Sequence, residues 1–132
     1  MSLIRNSKEV VRAIDFTGVQ NGVIHPSDID AVLEFDNDIL ILIEVKKRGN
    51  EIPIGQKLLL ERICSSWRTK RSIVLKVEYD DIYPQDQNIP LDGCYVTKYY
   101  HRYKWVNTKD PYSLKNFLNY LGDRWNNKKC KF

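Results

Sequence analysis

A chain of 132 residues, 42% hydrophobic and 29% charged, has the size and composition of a globular domain that can bury a core without disulfides or a structural metal. We therefore treat residues 1–132 as a single domain. No apolar run approaches the ~20 residues that cross a bilayer. The charged N-terminus MSLIRNSKEV lacks the apolar stretch of a signal peptide, so we expect a cytoplasmic protein with no membrane association. Three cysteines without metal-ligand spacing predict reduced thiols, as in the cytosol.

The net charge of +4 is unevenly distributed along the chain. Residues 1–94 contain twelve Lys or Arg against fifteen Asp or Glu, whereas residues 95–132 contain nine against two, a net charge of +7. This basic segment is also rich in aromatic residues, as in YVTKYYHRYKW. Cations beside rings suit a nucleic acid, because the cations bind phosphates and the rings stack on bases. The same rings can equally belong to the core, and composition leaves both interpretations open.

Hydrophobic periodicity divides the chain into helices and strands. The predicted elements, in chain order, are a helix at 7–16, a short strand around 23–24, strands at 29–35 and 39–46, a helix at 54–67, strands at 72–79 and 94–106, and a helix at 113–126. A DND turn joins the strands at 29–35 and 39–46, and a polar loop precedes the strand at 94–106. This order predicts an α/β domain in which helices flank a mixed sheet.

The turn between the first two main strands determines which carboxylates face each other. If Asp36 faces Asp38 across Asn37, the residue numbers of antiparallel partners sum to 74, and Asp30 lies opposite Glu44. Directly opposed Cβ atoms are ~4.5–5.5 Å apart, and like charges there destabilise a sheet unless a cation lies between them. Two carboxylates with a backbone carbonyl and water suit a hard divalent ion such as Mg²⁺. The spacing therefore predicts a cation site at this end of the hairpin.

Further charged residues belong to the same predicted cluster. Lys46 lies two residues beyond Glu44 and so points to the same face, and Asp28 shares the face of Asp30. The structural alternative is a pair of solvated strand ends. A slip of one residue in register would send Asp30 and Glu44 to opposite faces.

Two motifs flank this hairpin, PSDID at 26–30 and IEVK at 43–46, and a helix with Gln56 near its start follows. In this order and spacing the chain resembles the PD-(D/E)xK nuclease superfamily, in which an aspartate opens one strand and Glu-x-Lys ends the next. The resemblance covers roughly residues 7–79 and extends to Holliday-junction resolvases and small phage or homing endonucleases. It implies a restriction-endonuclease-like fold, a mixed β-sheet flanked by α-helices.

The resemblance also implies an activity, that of a metal-dependent endonuclease that hydrolyses phosphodiester bonds in DNA. Asp30 and Glu44 would hold Mg²⁺ or Mn²⁺ with the backbone carbonyl near Val45. Lys46 would orient the attacking water and stabilise charge on the phosphate, and Gln56 would support the lysine or bind the DNA backbone. A homodimer that cuts two strands is expected from the small size of one copy.

Two positions leave alternatives within this assignment. Either Asp28 or Asp30 fits the motif aspartate, and we favour Asp30 because the apolar strand continues directly after it. Some members, including the resolvases, add a glutamate from the first helix. Glu9 is the candidate here, although Asn6-x-x-Glu9 also fits a helix capping box.

Basic residues supply candidate contacts to the phosphate backbone: Lys47, Arg48, Lys98, Arg102 and Lys104. The main alternative function is a nucleic-acid-binding module with an inactive nuclease fold. A structural or interaction domain with solvated charges is another. RNA instead of DNA, and the type of DNA structure cut, stay open.

Overall fold

A computed structural model describes residues 14–132 of the protein. Its elements, in chain order, are β1 (Ala31–Phe35), β2 (Ile39–Lys47), α1 (Ile54–Ser66), β3 (Ser72–Tyr79), a 3₁₀ turn (Leu91–Gly93), β4 (Tyr95–His101), β5 (Lys104–Ser113) and α2 (Leu114–Arg124). The strands form one sheet in the order β1-β2-β3-β4-β5. β2 and β3 pair in parallel, and the other neighbouring strands pair antiparallel. The protein therefore has a mixed α/β fold, as the order of elements predicts.

The β1–β2 hairpin has the predicted register. Ala31 pairs with Ile43 and Phe35 with Ile39, so partners sum to 74. In the turn, Asp36 and Asn37 both have φ of 56°, a left-handed conformation that Asn and Asp tolerate better than most residues. The turn chemistry and the register therefore agree.

The apolar run of β2 is buried on both faces, because a helix covers each face of the sheet. Leu40 and Leu42 pack with Leu60 of α1, whereas Ile41 and Ile43 pack in the larger cluster that includes Phe117 of α2. A parallel connection needs a crossover, and α1 supplies it between β2 and β3. We call the two sides of the sheet the α1 face and the α2 face.

The strand predicted at 94–106 is wrong, because this segment is a hairpin. The chain reverses at Arg102 and Tyr103, which have φ of 51° and 66° and form a two-residue turn between β4 and β5. β5 then runs to Ser113, whose side chain accepts a hydrogen bond from the Asn116 backbone N–H at 3.2 Å and caps α2. The turn has none of the Gly, Asn or Asp residues that usually mark such a reversal.

The N-terminal predictions have two outcomes. The predicted helix at 7–16 lies largely outside the described residues, and residues 14–16 are not helical. The short strand around 23–24 is reduced to an isolated bridge between Asn21 and Ile24.

Within residues 14–132, neither helix has the length and apolar character needed to cross a membrane.

Candidate active site at the end of β2

Asp30 and Glu44 lie together where the β1–β2 ladder ends. The last paired residues are Ala31 and Ile43, and the same register places Asp30 opposite Glu44. Asp30 Oδ2 accepts a hydrogen bond from the Val45 backbone N–H at 2.8 Å, which fixes the aspartate against β2. The two motifs of the sequence therefore meet at one point of the sheet.

Glu44 is the most unusual side chain of this site. It is 1% exposed, and its Oε2 atom is buried with no hydrogen-bond partner among the described residues. Leaving a buried charged oxygen unsatisfied is costly, so such a group keeps a proton or binds a cation. The Glu44 carboxyl is thus a group whose charge the described chain does not balance.

The electrostatics of Glu44 reflect both its burial and its neighbours. Burial, more than any other cause, raises the pKa of Glu44 from 4.5 to about 8. When Glu44 is protonated it can donate a hydrogen bond to Asp30, and this hydrogen bond raises the pKa of Glu44 further. The negative charges of Asp30 and Asp28 raise it as well. Lys46 lowers it. Asp28, Asp30 and Lys46 are therefore all close enough to act on Glu44.

The side chain of Gln56 contacts the main chain of Asp28 beside the site. Gln56 Nε2 donates a hydrogen bond to the Asp28 carbonyl oxygen at 3.2 Å. This contact ties the first turn of α1 to the segment that precedes β1. Gln56 therefore contacts the PSDID segment, and its predicted role in supporting Lys46 or binding the DNA backbone stays a prediction.

A second charged cluster adjoins Glu44 and Lys46 on the α1 face. The parallel register pairs Glu44 with Lys76 and Lys46 with Glu78. Lys76 is only 2% exposed, and its Nζ lies 3.0 Å from Glu78 Oε2 and 3.8 Å from Glu51 Oε1. Sequence reasoning missed this cluster, although polar residues alternate with apolar ones in LKVEY, the second half of β3. The alternation indicates a charged cluster only once β3 is known to pair with β2.

Three of the five basic candidates lie at the same end of the sheet as Glu44. Each also has an acidic partner, so part of its charge is balanced locally. The ion pairs are Lys47–Asp81 at 3.0 Å, Arg48–Asp80 at 3.6 Å and Lys98–Glu51 at 3.2 Å.

Arg102 and Lys104 lie at the opposite end of the sheet. They follow His101, whose Nδ1 is 3.0 Å from the carbonyl oxygen of Ser72 at the start of β3. Glu44, in contrast, pairs with β3 four residues further on. The predicted basic candidates are therefore divided between two ends of the molecule.

The donor set for a metal ion is incomplete within the described residues. Residues 14–132 contain no group of three or more His, Cys, Asp or Glu side chains placed to hold a metal. Asp30 and Glu44 supply two carboxylates, and Mg²⁺ commonly takes one or two from the protein and keeps several waters. Glu9, the other candidate ligand, lies outside the described residues.

The site thus consists of two opposed carboxylates, one lysine on the same face and a glutamine that holds the adjacent segment.

Searches against protein-family models, curated proteins and solved structures give no significant match to this chain. Oxygen donors with an adjacent ammonium group suit a divalent cation and an anionic oxygen ligand such as a phosphate.

Proposed function

We propose that the protein is a metal-dependent nuclease that hydrolyses phosphodiester bonds in DNA, with a restriction-endonuclease-like fold. The observation that carries the proposal is the Oε2 atom of Glu44, which is buried next to Asp30 with no hydrogen-bond partner in residues 14–132. If both carboxylates are ionised they carry two negative charges, and the one positive charge of Lys46 balances only one of them. A divalent cation would balance the pair.

Mg²⁺ or Mn²⁺ fits the residues present, because hard cations prefer oxygen ligands. Asp30 and Glu44 would hold the ion with the carbonyl oxygen of Val45, and Asp28 or Glu9 would be further ligands. When bound, such an ion polarises a phosphate and lowers the pKa of a coordinated water.

The chain's own residues have separate tasks in this proposal. The Val45 N–H holds Asp30 by a 2.8 Å hydrogen bond, so the aspartate is oriented before any ligand arrives. Lys46 donates hydrogen bonds to the attacking water and to the phosphate oxygens, where it stabilises the negative charge that develops. Gln56 keeps Asp28 and its segment against α1. A homodimer with two such sites would cut both strands of a duplex.

The test is incubation of the full chain with supercoiled, linear, single-stranded and four-way-junction DNA and with RNA, in Mg²⁺, Mn²⁺ or EDTA. We expect cleavage only with a divalent ion. Asp30→Asn and Glu44→Gln should each lower the rate by about a hundredfold or more, since each removes a group that acts on the transition state. Glu34→Gln is the matched control, because Glu34 is exposed on β1 and its replacement keeps the oxygen that accepts the Asn37 N–H.

Melting temperatures separate loss of the site from loss of the fold. Mg²⁺ or Mn²⁺ should raise the melting temperature of the parent and shift that of Glu44→Gln much less, because a ligand stabilises only a protein that binds it. Cleavage by the two site variants at the parent's rate would refute the nuclease assignment. DNA binding without cleavage in either metal would instead identify a binding module with an inactive nuclease fold.

A further inference from the structure

A second site candidate lies on the α2 face of the sheet, away from Glu44. It is a cavity of about 300 Å³ between β4, β5 and α2, which we call the α2 cavity. Its apolar floor includes Ile73 and Leu121, which belong to the core cluster of that face. Ligand pockets in proteins range from ~300 to ~1,000 Å³, so the cavity has room for a small ligand. None of its lining residues belongs to the candidate active site.

Aromatic rings line the α2 cavity in two groups. The first is centred on Phe117, whose ring centroid lies 5.5 Å from that of Tyr99, 5.9 Å from Tyr112 and 6.0 Å from Tyr120. The second is the pair of His101 and Trp125, with centroids 5.9 Å apart. Both groups line the same cavity, so a flat aromatic ligand would have several rings to pack against.

Polar atoms in the cavity suit the edge of a nucleobase. The Nδ1 atom of His101 lies 3.0 Å from the Ser72 carbonyl oxygen, which accepts hydrogen bonds only, so Nδ1 carries the hydrogen. The Nε2 atom of the neutral ring is then an acceptor. The hydroxyl of Thr108 donates towards the carbonyl oxygens of Val96 and Thr97, each at 3.1 Å, and its own oxygen can also accept. Both side chains can therefore accept from the N–H groups of a base.

A cation lies beside this aromatic site. Arg124, in the last turn of α2, is exposed and lines the cavity. The adjacent carboxylate, Asp123, is paired with Lys131. A guanidinium group binds phosphate through two parallel hydrogen bonds. The surrounding segment, residues 95–132, has a net charge of +7, which also attracts an anion.

We propose that the α2 cavity binds one nucleotide, with the base among the rings and the phosphate on Arg124. The nucleotide is either a free nucleoside monophosphate or an unpaired nucleotide of a nucleic-acid strand, since both present the same base and phosphate. This site is additional to the proposed nuclease site and does not depend on it.

The test is titration of the full chain with the four nucleoside 5′-monophosphates, the matching nucleosides and a single-stranded oligonucleotide. Calorimetry and tryptophan fluorescence report binding, and EDTA is present throughout so that the Asp30–Glu44 site plays no part. We expect saturable binding of at least one monophosphate at one site. Arg124→Gln should weaken it about tenfold, because it removes a charge-assisted contact to phosphate, and should leave nucleoside binding unchanged.

Two further variants make the result specific. Tyr120→Ala, which removes a ring that is 53% exposed, should weaken nucleotide and nucleoside to a similar extent. Arg62→Gln removes an exposed arginine from the other helix, and nucleotide binding should not change. Melting curves verify that each variant is folded.

Competition distinguishes the two sources of the nucleotide. If a monophosphate displaces the oligonucleotide, the cavity accepts both forms of the nucleotide. If Arg124→Gln and Tyr120→Ala weaken binding of the oligonucleotide, the cavity binds a nucleotide of a strand. The proposal is overturned if neither ligand binds saturably, or if both variants bind as the parent does. Because metal is absent, this outcome is separate from that of the cleavage assay.

Discussion

Replacement of Glu44 by glutamine should change how the stability of the metal-free protein depends on pH. In the folded protein, burial and Asp30 raise the pKa of Glu44 from 4.5 to about 8. In the unfolded chain the same group titrates near its ordinary value. Between these two pH values the folded protein binds a proton that the unfolded chain does not. The contribution of Glu44 to stability is therefore fully present below pH 4.5 and is lost as the pH rises towards 8.

The size of the effect follows from the linkage between proton binding and folding. One proton bound only by the folded state changes the free energy of unfolding by about 1.4 kcal/mol per pH unit. Between pH 5 and pH 7 the parent should lose about 3 kcal/mol through Glu44, a large part of the ~5–15 kcal/mol typical of a domain. Glu44→Gln does not titrate, and its amide can donate to Asp30. It should therefore lack this loss.

Urea denaturation in EDTA at pH 5, 6, 7 and 8 measures the effect. The difference in unfolding free energy between Glu44→Gln and the parent cancels the titration of the groups that do not interact with Glu44. We expect this difference to grow in favour of the variant by about 1.4 kcal/mol per unit up to pH 7. A difference that does not change with pH would refute the reasoning, because Glu44 would then titrate as it does in the unfolded chain.

Three further predictions test the site, the DNA contacts and the packing. Lys46→Met should abolish cleavage and keep the rise in melting temperature with Mg²⁺, since the lysine is not a metal ligand; loss of that rise would place it in the metal site. Lys98→Gln should reduce the slope of log Kd against log salt for DNA by about one, and Arg102→Gln, at the other end of the sheet, should reduce it less. Equal slopes for the two variants would mean that DNA contacts both ends. A Cβ at Gly122 would overlap the carbonyl oxygen of Cys130, so Gly122→Ala should cost about 2–4 kcal/mol in urea denaturation. Gly55→Ala meets open space in α1 and should instead add up to ~1 kcal/mol; equal stabilities would contradict the packing at Gly122.

Local sequence was sufficient to predict the hairpin that builds the site. The DND turn places Asp36 and Asn37 in a conformation they tolerate, and a turn centred on Asn37 sets the register in which partners sum to 74. This register places Asp30 opposite Glu44. The bounds of β3 at 72–79 were also predicted correctly, and the helix predicted at 54–67 is α1 at Ile54–Ser66. The hairpin and α1 depend on contacts close in sequence, and the hydrophobic run of β3 marks that strand without knowledge of its partners.

Features that depend on distant contacts were not predictable in the same way. The reversal at Arg102 and Tyr103 lacks turn residues, so the pairing of β4 with β5 and the packing of both on α2 must hold it. The burial of Lys76 depends on its position next to Glu44 across a parallel pair, which α1 brings together. Similarly, the rings of the basic segment line one cavity only because α2 folds back onto β4 and β5.

The position of β1 at the edge of the five-stranded sheet has a consequence for how the site is maintained. β1 is five residues long, only partly buried, and pairs with β2 alone within the described chain, whereas β3 is central and almost fully buried. Amide protons of β1 should therefore exchange with solvent through local opening, and those of β3 only through global unfolding. Each opening of β1 would release Asp30 from the Val45 N–H and separate it from Glu44. The local stability of this one short strand then governs the fraction of molecules with an assembled site. A ligand that bridges the two carboxylates would slow amide-proton exchange in β1 first.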